Sequence, residues 1–287
     1  NIPIRQTINN TYWHQTLILS KKHHQTLSQP SAIFVSELLP FQKKTLNWMQ
    51  MRETSDLSLS SMGWERHQLY DGFTFYTDQF GSLSYSRPSD RTRGGILAQS
   101  SGMGKTIEML ALIASSTCTK PTLVILSPHM LKVWSKEAGK HVPSMNIRKY
   151  HGSARTLKNM TNVNVVFTTF RIVKNDKIGR NYGQILQSID WGRVVIDDFD
   201  ELADEPLYGA PLHRLHADFK WCMSANILRY GIKSVGSLFR FFNMTPFNKF
   251  ANNDKQFNQD NGLLIREMLV EMTYSCEATD SDVCPEL

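Results

Sequence analysis

The stretch GGILAQSSGMGKTIEMLAL, residues 94–112, decides how the rest of the chain reads. It starts with an apolar run, Ile96-Leu97-Ala98. It then breaks into a polar turn carrying Gly102 and Gly104, and resumes as an amphipathic helix from Thr106. A strand, a glycine-bearing loop and a helix, in that order, aim backbone N–H groups at one point beside a helix N-terminus, which makes an anion site. Lys105 adds a full positive charge, and the Thr106 hydroxyl is a ligand type suited to Mg²⁺. Gly102, Met103, Gly104, Lys105 and Thr106 are thus candidates for holding nucleotide phosphates. The full phosphate-loop signature places glycine where Gln99 stands, which leaves G-x-G-K-T as the core of the motif. The competing explanation is a glycine-rich surface turn with a solvated lysine. The flanking strand and helix favour nucleotide binding.

Working outward, apolar runs follow at 122–126, 162–168, 193–196 and 220–224, with helical patterns between them. The run Thr122-Leu-Val-Ile-Leu126, bounded by Pro121 and Pro128, suits a strand buried on both faces. Residues 130–141 read as a helix with Lys132, Lys136 and Lys140 along one face and Leu131, Trp134 and Ala138 elsewhere. Strand–helix alternation predicts a parallel sheet with helices on both faces, an α/β fold. Ligands of such sheets sit at the carboxyl ends of the strands, where Ser127, Thr168 and Asp197 also fall. The run ending at Ile196 is followed by Asp197-Asp198-Phe199-Asp200. An apolar strand ending in carboxylates, downstream of a phosphate loop, is the Walker B arrangement. Asp197 is expected to hold Mg²⁺ opposite Thr106, and Asp198 to orient or deprotonate the attacking water. The two halves of the site are expected on neighbouring strands. An acidic loop capping the next helix is the simpler alternative for these residues.

Net charge is +6 and the isoelectric point about 9.1, a moderate basic bias that suits an acidic partner such as nucleic acid. The four cysteines are scattered without C-x-x-C spacing, which argues against a zinc site or a disulfide framework and predicts a reducing compartment. No apolar run has the length of a membrane span. The chain begins at Asn1 rather than Met, so it is expected to be a piece of a longer protein. Residues 1–37 are polar and mixed. From residue 38, Pro40 opens a helix carrying Gln42, whose carboxamide can both donate to and accept from an adenine edge. Residues 53–93 read as a long irregular insert whose aromatics, Trp64, Tyr70, Phe73, Phe75, Tyr76, Phe80 and Tyr85, are expected to pack on the domain. Residues 235–250 carry a dense phenylalanine pattern, and 262–272 form an amphipathic helix.

Seven segments then occur in a familiar order: LLPFQKKTLNWM (38–49), the phosphate-loop stretch, TLVILSPHMLKVW (122–134), VVFTTF (165–170), WGRVVIDDFDEL (191–202), KWCMSAN (220–226) and SLFRFFNMTPF (237–247). Together they resemble the first RecA-like lobe of Swi/Snf-type ATPases, within the superfamily II helicase-like proteins. The insert looks like that of helicase-like transcription factor and the RING-bearing repair translocases. The resemblance implies a RecA-like phosphate-loop fold, ATP and Mg²⁺ as ligands, and double-stranded DNA as a partner. It also implies a second RecA-like lobe, with DSDVCPEL (280–287) resembling the segment that leads into it, and a nuclear setting among chromatin or repair proteins. By it, Gln42 would contact adenine, Gly102 to Thr106 the phosphates and metal, and Lys132, Thr168 and Thr169 the DNA backbone. The expected organisation is a lead segment at 1–37, the adenine helix plus insert at 38–93, and the ATP-binding lobe at 94–287.

The chain departs from the family pattern at three places. Gln99-Ser100 stands where Asp-Glu is usual, Asp198 and Asp200 replace the Glu and His of the DEAH box, and Ser224-Ala225-Asn226-Ile227 replaces TGTP. The leading expectation is a DNA-dependent ATPase acting on duplex DNA in chromatin remodelling or repair. The alternative is a non-hydrolysing lobe kept as a DNA- or protein-binding module. A small-molecule kinase would need an acceptor lid, which the sequence does not offer.

Overall fold

A computed structural model describes residues 28, 30–54, 64–70, 72–78, 83–84, 93–152, 162–175, 177–178, 181–182, 185–201, 212, 214–244 and 259–276. The lead segment before residue 28, Phe80, Tyr85 and the segments 245–250 and 280–287 lie outside them.

Helix α1 (Pro40–Thr54) starts at the proline, whose missing N–H costs nothing in a first turn. Strands β1 (Trp64–Gln68), β2 (Thr74–Asp78) and β3 (Leu83–Ser84) form a small antiparallel sheet. The segment read as irregular therefore contains regular pairing. Its aromatics also divide: Tyr76 packs partly against the core and Phe75 stacks on His67, whereas Tyr70 and Phe73 at the β1–β2 turn are exposed.

The main body comprises β4 (Gly94–Gln99), α2 (Lys105–Ala114), β5 (Thr122–Leu126), α3 (Met130–His141), β6 (Ile147–Lys149), β7 (Val165–Thr169), α4 (Phe170–Asn175), the minor strands β8 (Lys177–Ile178) and β9 (Asn181–Tyr182), β10 (Trp191–Ile196), β11 (Ala217–Met223), α5 (Ile232–Phe241), α6 (Gln259–Met272) and β12 (Thr273–Cys276). Seven strands pair in the order β12-β4-β11-β10-β5-β7-β6, and every pairing is parallel. This is the RecA-like α/β fold. β11 lies between β4 and β10, so the two halves of the site are on strands one apart rather than on neighbours.

Alternate side chains of each strand feed two cores. Leu97, Val124, Val195 and Trp221 join α1, α2 and α3 on one face. Ile96, Ile125, Ile196 and Cys222 join α5 and α6 on the other. The dense phenylalanines are core: Phe239, Phe241 and Phe242 are buried. α2 presents Met109 to Ala114 to protein on all sides, as its position against the sheet, α1 and α3 requires.

One buried ion pair ties the elements together. Arg193 of β10 meets Glu53 of α1 in a bidentate contact, with both N–O distances 2.6 Å. Trp221 Nε1 donates to the same carboxylate at 2.9 Å, and Arg193 Nη1 donates to Thr122 Oγ1 at 3.2 Å. A fork geometry that satisfies both partners offsets much of the desolvation cost that such a pair carries.

Candidate functional site

The phosphate loop curls between the end of β4 and the first residue of α2. Gly102 and Gly104 take φ of +84° and +92°, the left-handed region that glycine enters without steric cost. A Cβ at Gly104 would also meet the end of the Gln42 side chain, which would have to shift to admit it. Gln42 is buried against the loop. Its Nε2 donates to the Met103 carbonyl at 3.2 Å, and its Oε1 accepts from the Leu39 N–H at 3.0 Å. One N–H and one lone pair of the carboxamide remain for a ligand edge. Met103 is buried, and Thr106 is half-buried in the first turn of α2. Lys105 Nζ bends back to donate to the carbonyls of Gln99 at 2.9 Å and Ser100 at 3.1 Å. Burial pulls its pKa down, while Asp197, Asp198, Glu108 and Asp200 oppose that shift.

Beneath the loop, Gln99 Nε2 donates to Thr45 Oγ1 and to Glu108 Oε1, each at 3.2 Å. Glu108 is fully enclosed. Burial pushes its carboxyl up to about 8, against the opposing hydrogen bonds of Gln99 and Thr45 and the charge of Lys105. At neutral pH it is a neutral acid, the form a closed site tolerates.

Asp197 leaves the carboxyl end of β10 on the same rim. Its Oδ2 accepts from Trp134 Nε1 at 2.7 Å, and its Oδ1 from the Asp198 N–H at 3.1 Å. Burial raises its pKa to about 6; the Trp134 hydrogen bond works against that, the Asp198 charge adds to it, and Lys105 opposes it. Asp198 is half-buried at φ +53°, and burial followed by the Asp200 charge raises its pKa. Asp200 accepts a very short hydrogen bond from Ser224, whose Oγ also accepts from the Asn226 N–H at 2.9 Å, and Arg229 lies 3.7 Å from Asp200. The two altered boxes of the sequence thus touch each other.

The three residues expected at DNA do not share an environment. Lys132 is exposed, as are Lys136 and Lys140 on the same helix. Thr168 and Thr169 are buried, and the Thr168 hydroxyl donates to the Tyr150 carbonyl at 3.0 Å. As placed here, neither threonine side chain is open to a phosphate. Sequence reasoning missed two residues at the rim, Trp134 and His129. Trp134 carries an indole N–H, a group that as a rule takes an acceptor when buried, but the sequence does not say which one. Phe167 holds it edge-on at 5.8 Å.

The donor set fits the groups expected. A carboxylate already oriented by two N–H donors is the hard-oxygen ligand type Mg²⁺ takes. Half-buried Lys105 beside two desolvated carboxylates is a charge arrangement that a metal–phosphate ligand would balance.

Similarity to known proteins agrees with the fold. Residues 41–281 match the profile of the SNF2-related domain. The DNA repair protein rad5 of Aspergillus fumigatus is 24% identical over 289 residues, covering 78% of this chain and 23% of that protein. An uncharacterised ATP-dependent helicase of Schizosaccharomyces pombe is 27% identical over 193 residues, covering 58% and 18%. The chain therefore spans less than a quarter of these relatives' lengths. The Sulfolobus solfataricus SWI2/SNF2 ATPase core, solved in complex with double-stranded DNA, superposes with a TM-score of 0.65 at 17% identity, over 90% of this chain and 48% of that one. With the phosphate loop, the acidic rim and the strand order all in place, and with the profile matching most of its length, the chain belongs to the SNF2-related domain family.

Proposed function

We propose that this chain is the ATP-binding lobe of a DNA-dependent ATPase that acts on duplex DNA in chromatin remodelling or DNA repair, in the nucleus, together with a second RecA-like lobe. The domain division offered is 38–93 for the adenine helix and insert and 94–287 for the lobe itself. The observation that carries this reading is the convergence of Lys105, Asp197 and Asp198 on one rim at the carboxyl ends of β4 and β10. Gln42 would meet the adenine edge, and the N–H groups of Gly102 to Thr106 with Lys105 would bind the phosphates. Thr106 and Asp197 would hold Mg²⁺, which when bound neutralises phosphate charge. Asp198 would orient the attacking water. Lys132, Lys136 and Lys140 give the exposed basic face, which supports contact with a phosphate backbone.

The test is nucleotide affinity and turnover with and without duplex DNA. Lys105→Ala is expected to lose about tenfold or more in MgATP affinity, the magnitude of a charge-assisted hydrogen bond. Undiminished binding by that variant would remove the site assignment. Turnover that rises with duplex DNA supports the enzyme; tight binding without turnover at any DNA concentration supports the binding-module alternative.

A further inference from the structure

At the end of the sheet away from the phosphate loop lies a cavity of about 640 Å³. The amino ends of β4 and β11 and the carboxyl ends of α1 and α2 surround it. Its volume is within the range of small-molecule sites. Among the described residues that line it, none is assigned above to nucleotide, metal or DNA. The register that sets Lys220 beside Gly94 puts Arg93 beside Phe219, and the Lys220 N–H donates to the Arg93 carbonyl at 3.1 Å. Asp218 comes one residue earlier on β11. The wall thus carries a guanidinium and a carboxylate at the ends of neighbouring strands.

Both charges keep capacity for a ligand. Asp218 Oδ1 accepts from Lys120 at 2.9 Å, and Lys120 is shared with Asp190, also at 2.9 Å, so one ammonium serves two carboxylates. Asp218 stays 42% exposed, and its Oδ2 has no partner among the described residues. Arg93 has a contact of its own, but a guanidinium carries several N–H donors and serves more than one acceptor. Glu53, the other acid of the wall, is already bound by Arg193 and Trp221. Ser115 Oγ accepts from the Ser31 N–H at 3.0 Å, and Ser116 Oγ from the Cys118 N–H at 3.1 Å and Arg193 Nη2 at 3.3 Å. Each of these hydroxyls keeps its own proton to donate. The Thr117 hydroxyl and the Gln50 carboxamide have no partner among the described residues. Leu112 and Phe219 supply apolar wall. A purely anionic ligand would meet Asp218 and the carbonyl end of α2, whose last turn has no basic residue. A purely cationic one would meet Arg93. A ligand with separated charges of both signs satisfies the whole wall.

We propose that this cavity binds a small zwitterion of the amino-acid type, a free amino acid or dipeptide with an aliphatic side chain. Its ammonium donates to Asp218. Its carboxylate accepts from Arg93 and the hydroxyls of Ser115, Ser116 and Thr117, and its side chain covers Leu112 and Phe219. The assignment is independent of the nucleotide reading.

Titration calorimetry and NMR on the full chain test this, with L-leucine and L-leucyl-L-leucine as probes. The N-acetyl form of each lacks the ammonium and the C-amide form lacks the carboxylate. Saturable binding of at least one probe is expected, with shifts at Leu112 and Phe219. Blocking either end of that probe is expected to weaken binding about tenfold or more, the loss of one charge-assisted hydrogen bond, and so are Asp218→Asn and Arg93→Gln. The blocked probes need no variant, so the result stands even where a substitution disturbs folding. Saturating MgATP is expected to leave the affinity unchanged. No saturable binding of either probe, undiminished binding of a blocked form or in Asp218→Asn, or displacement by MgATP overturns the proposal. A protein that takes the probe but not MgATP overturns only the nucleotide reading.

Discussion

Asp198 sits at φ +53°, a conformation that aspartate and asparagine tolerate because their short polar side chains bond locally. A longer side chain there carries a steric cost of about 1 kcal/mol. Restoring the glutamate usual in the family is thus expected to lower stability by about that amount, while Asp198→Asn stays near wild type; urea denaturation of the three proteins checks this. Trp134 makes a second prediction at this scale. Its N–H stabilises the ionised form of Asp197, a group whose pKa burial has raised to about 6. Trp134→Phe removes that donor and drives the Asp197 pKa higher. The pH below which metal-dependent nucleotide binding fades is then expected to move upward, as a binding series from pH 5 to 8 would show. The placement of Gly102 to Thr106 and Asp197 on one rim was legible because glycine and charge leave marks in a sequence. The Trp134–Asp197 contact was not, since a tryptophan at helical spacing looks the same whether its N–H meets a carboxylate or its ring fills a core.

The seam between β4 and α2 sets the behaviour of a whole element. Glu108 is held above its ordinary value of 4.5, at about 8. A raised pKa in the folded state means that the group's favourable contribution is full below about 4.5 and is lost as pH climbs through about 8. Glu108→Gln mimics the neutral acid and keeps the Gln99 contact. It is expected to flatten the decline in thermal midpoint between pH 5 and 9, with the largest gain over wild type at the alkaline end; scanning calorimetry across that range checks it. At this scale the sequence was informative where elements are long or uniformly apolar. β5 and α3 fall at the residues expected, and β10 and β11 start only a few residues earlier. β6 and β12 escaped notice because three or four residues of mixed polarity carry too short an alternation to recognise. The pairing of β1 with β2 was hidden by an aromatic content that suggests packing more than alternation.

For the molecule as a whole, charge is the property that acts at a distance. The α3 lysines at 132, 136 and 140 are all exposed on one helix. If each neutralises a phosphate, replacing all three by glutamine reduces the slope of log affinity for duplex DNA against log salt by about 2–3. Fluorescence anisotropy at several salt concentrations measures it, and an unchanged slope places the DNA elsewhere. The strand order could not be derived from the chain alone, because alternating strands and helices permit several orders.

The pairing of β4 bears on how the protein is made. The strand that carries the phosphate loop is flanked by β11 and β12, so its neighbours are Lys220 to Met223 on one side and Thr273 to Cys276 on the other. During synthesis both emerge from the ribosome long after β4, and contacts so distant in sequence form slowly. In the nascent lobe one edge of that strand therefore stays bare until residue 223 has emerged, and the other until residue 276 has. A chaperone that shields such edges would find client surface there.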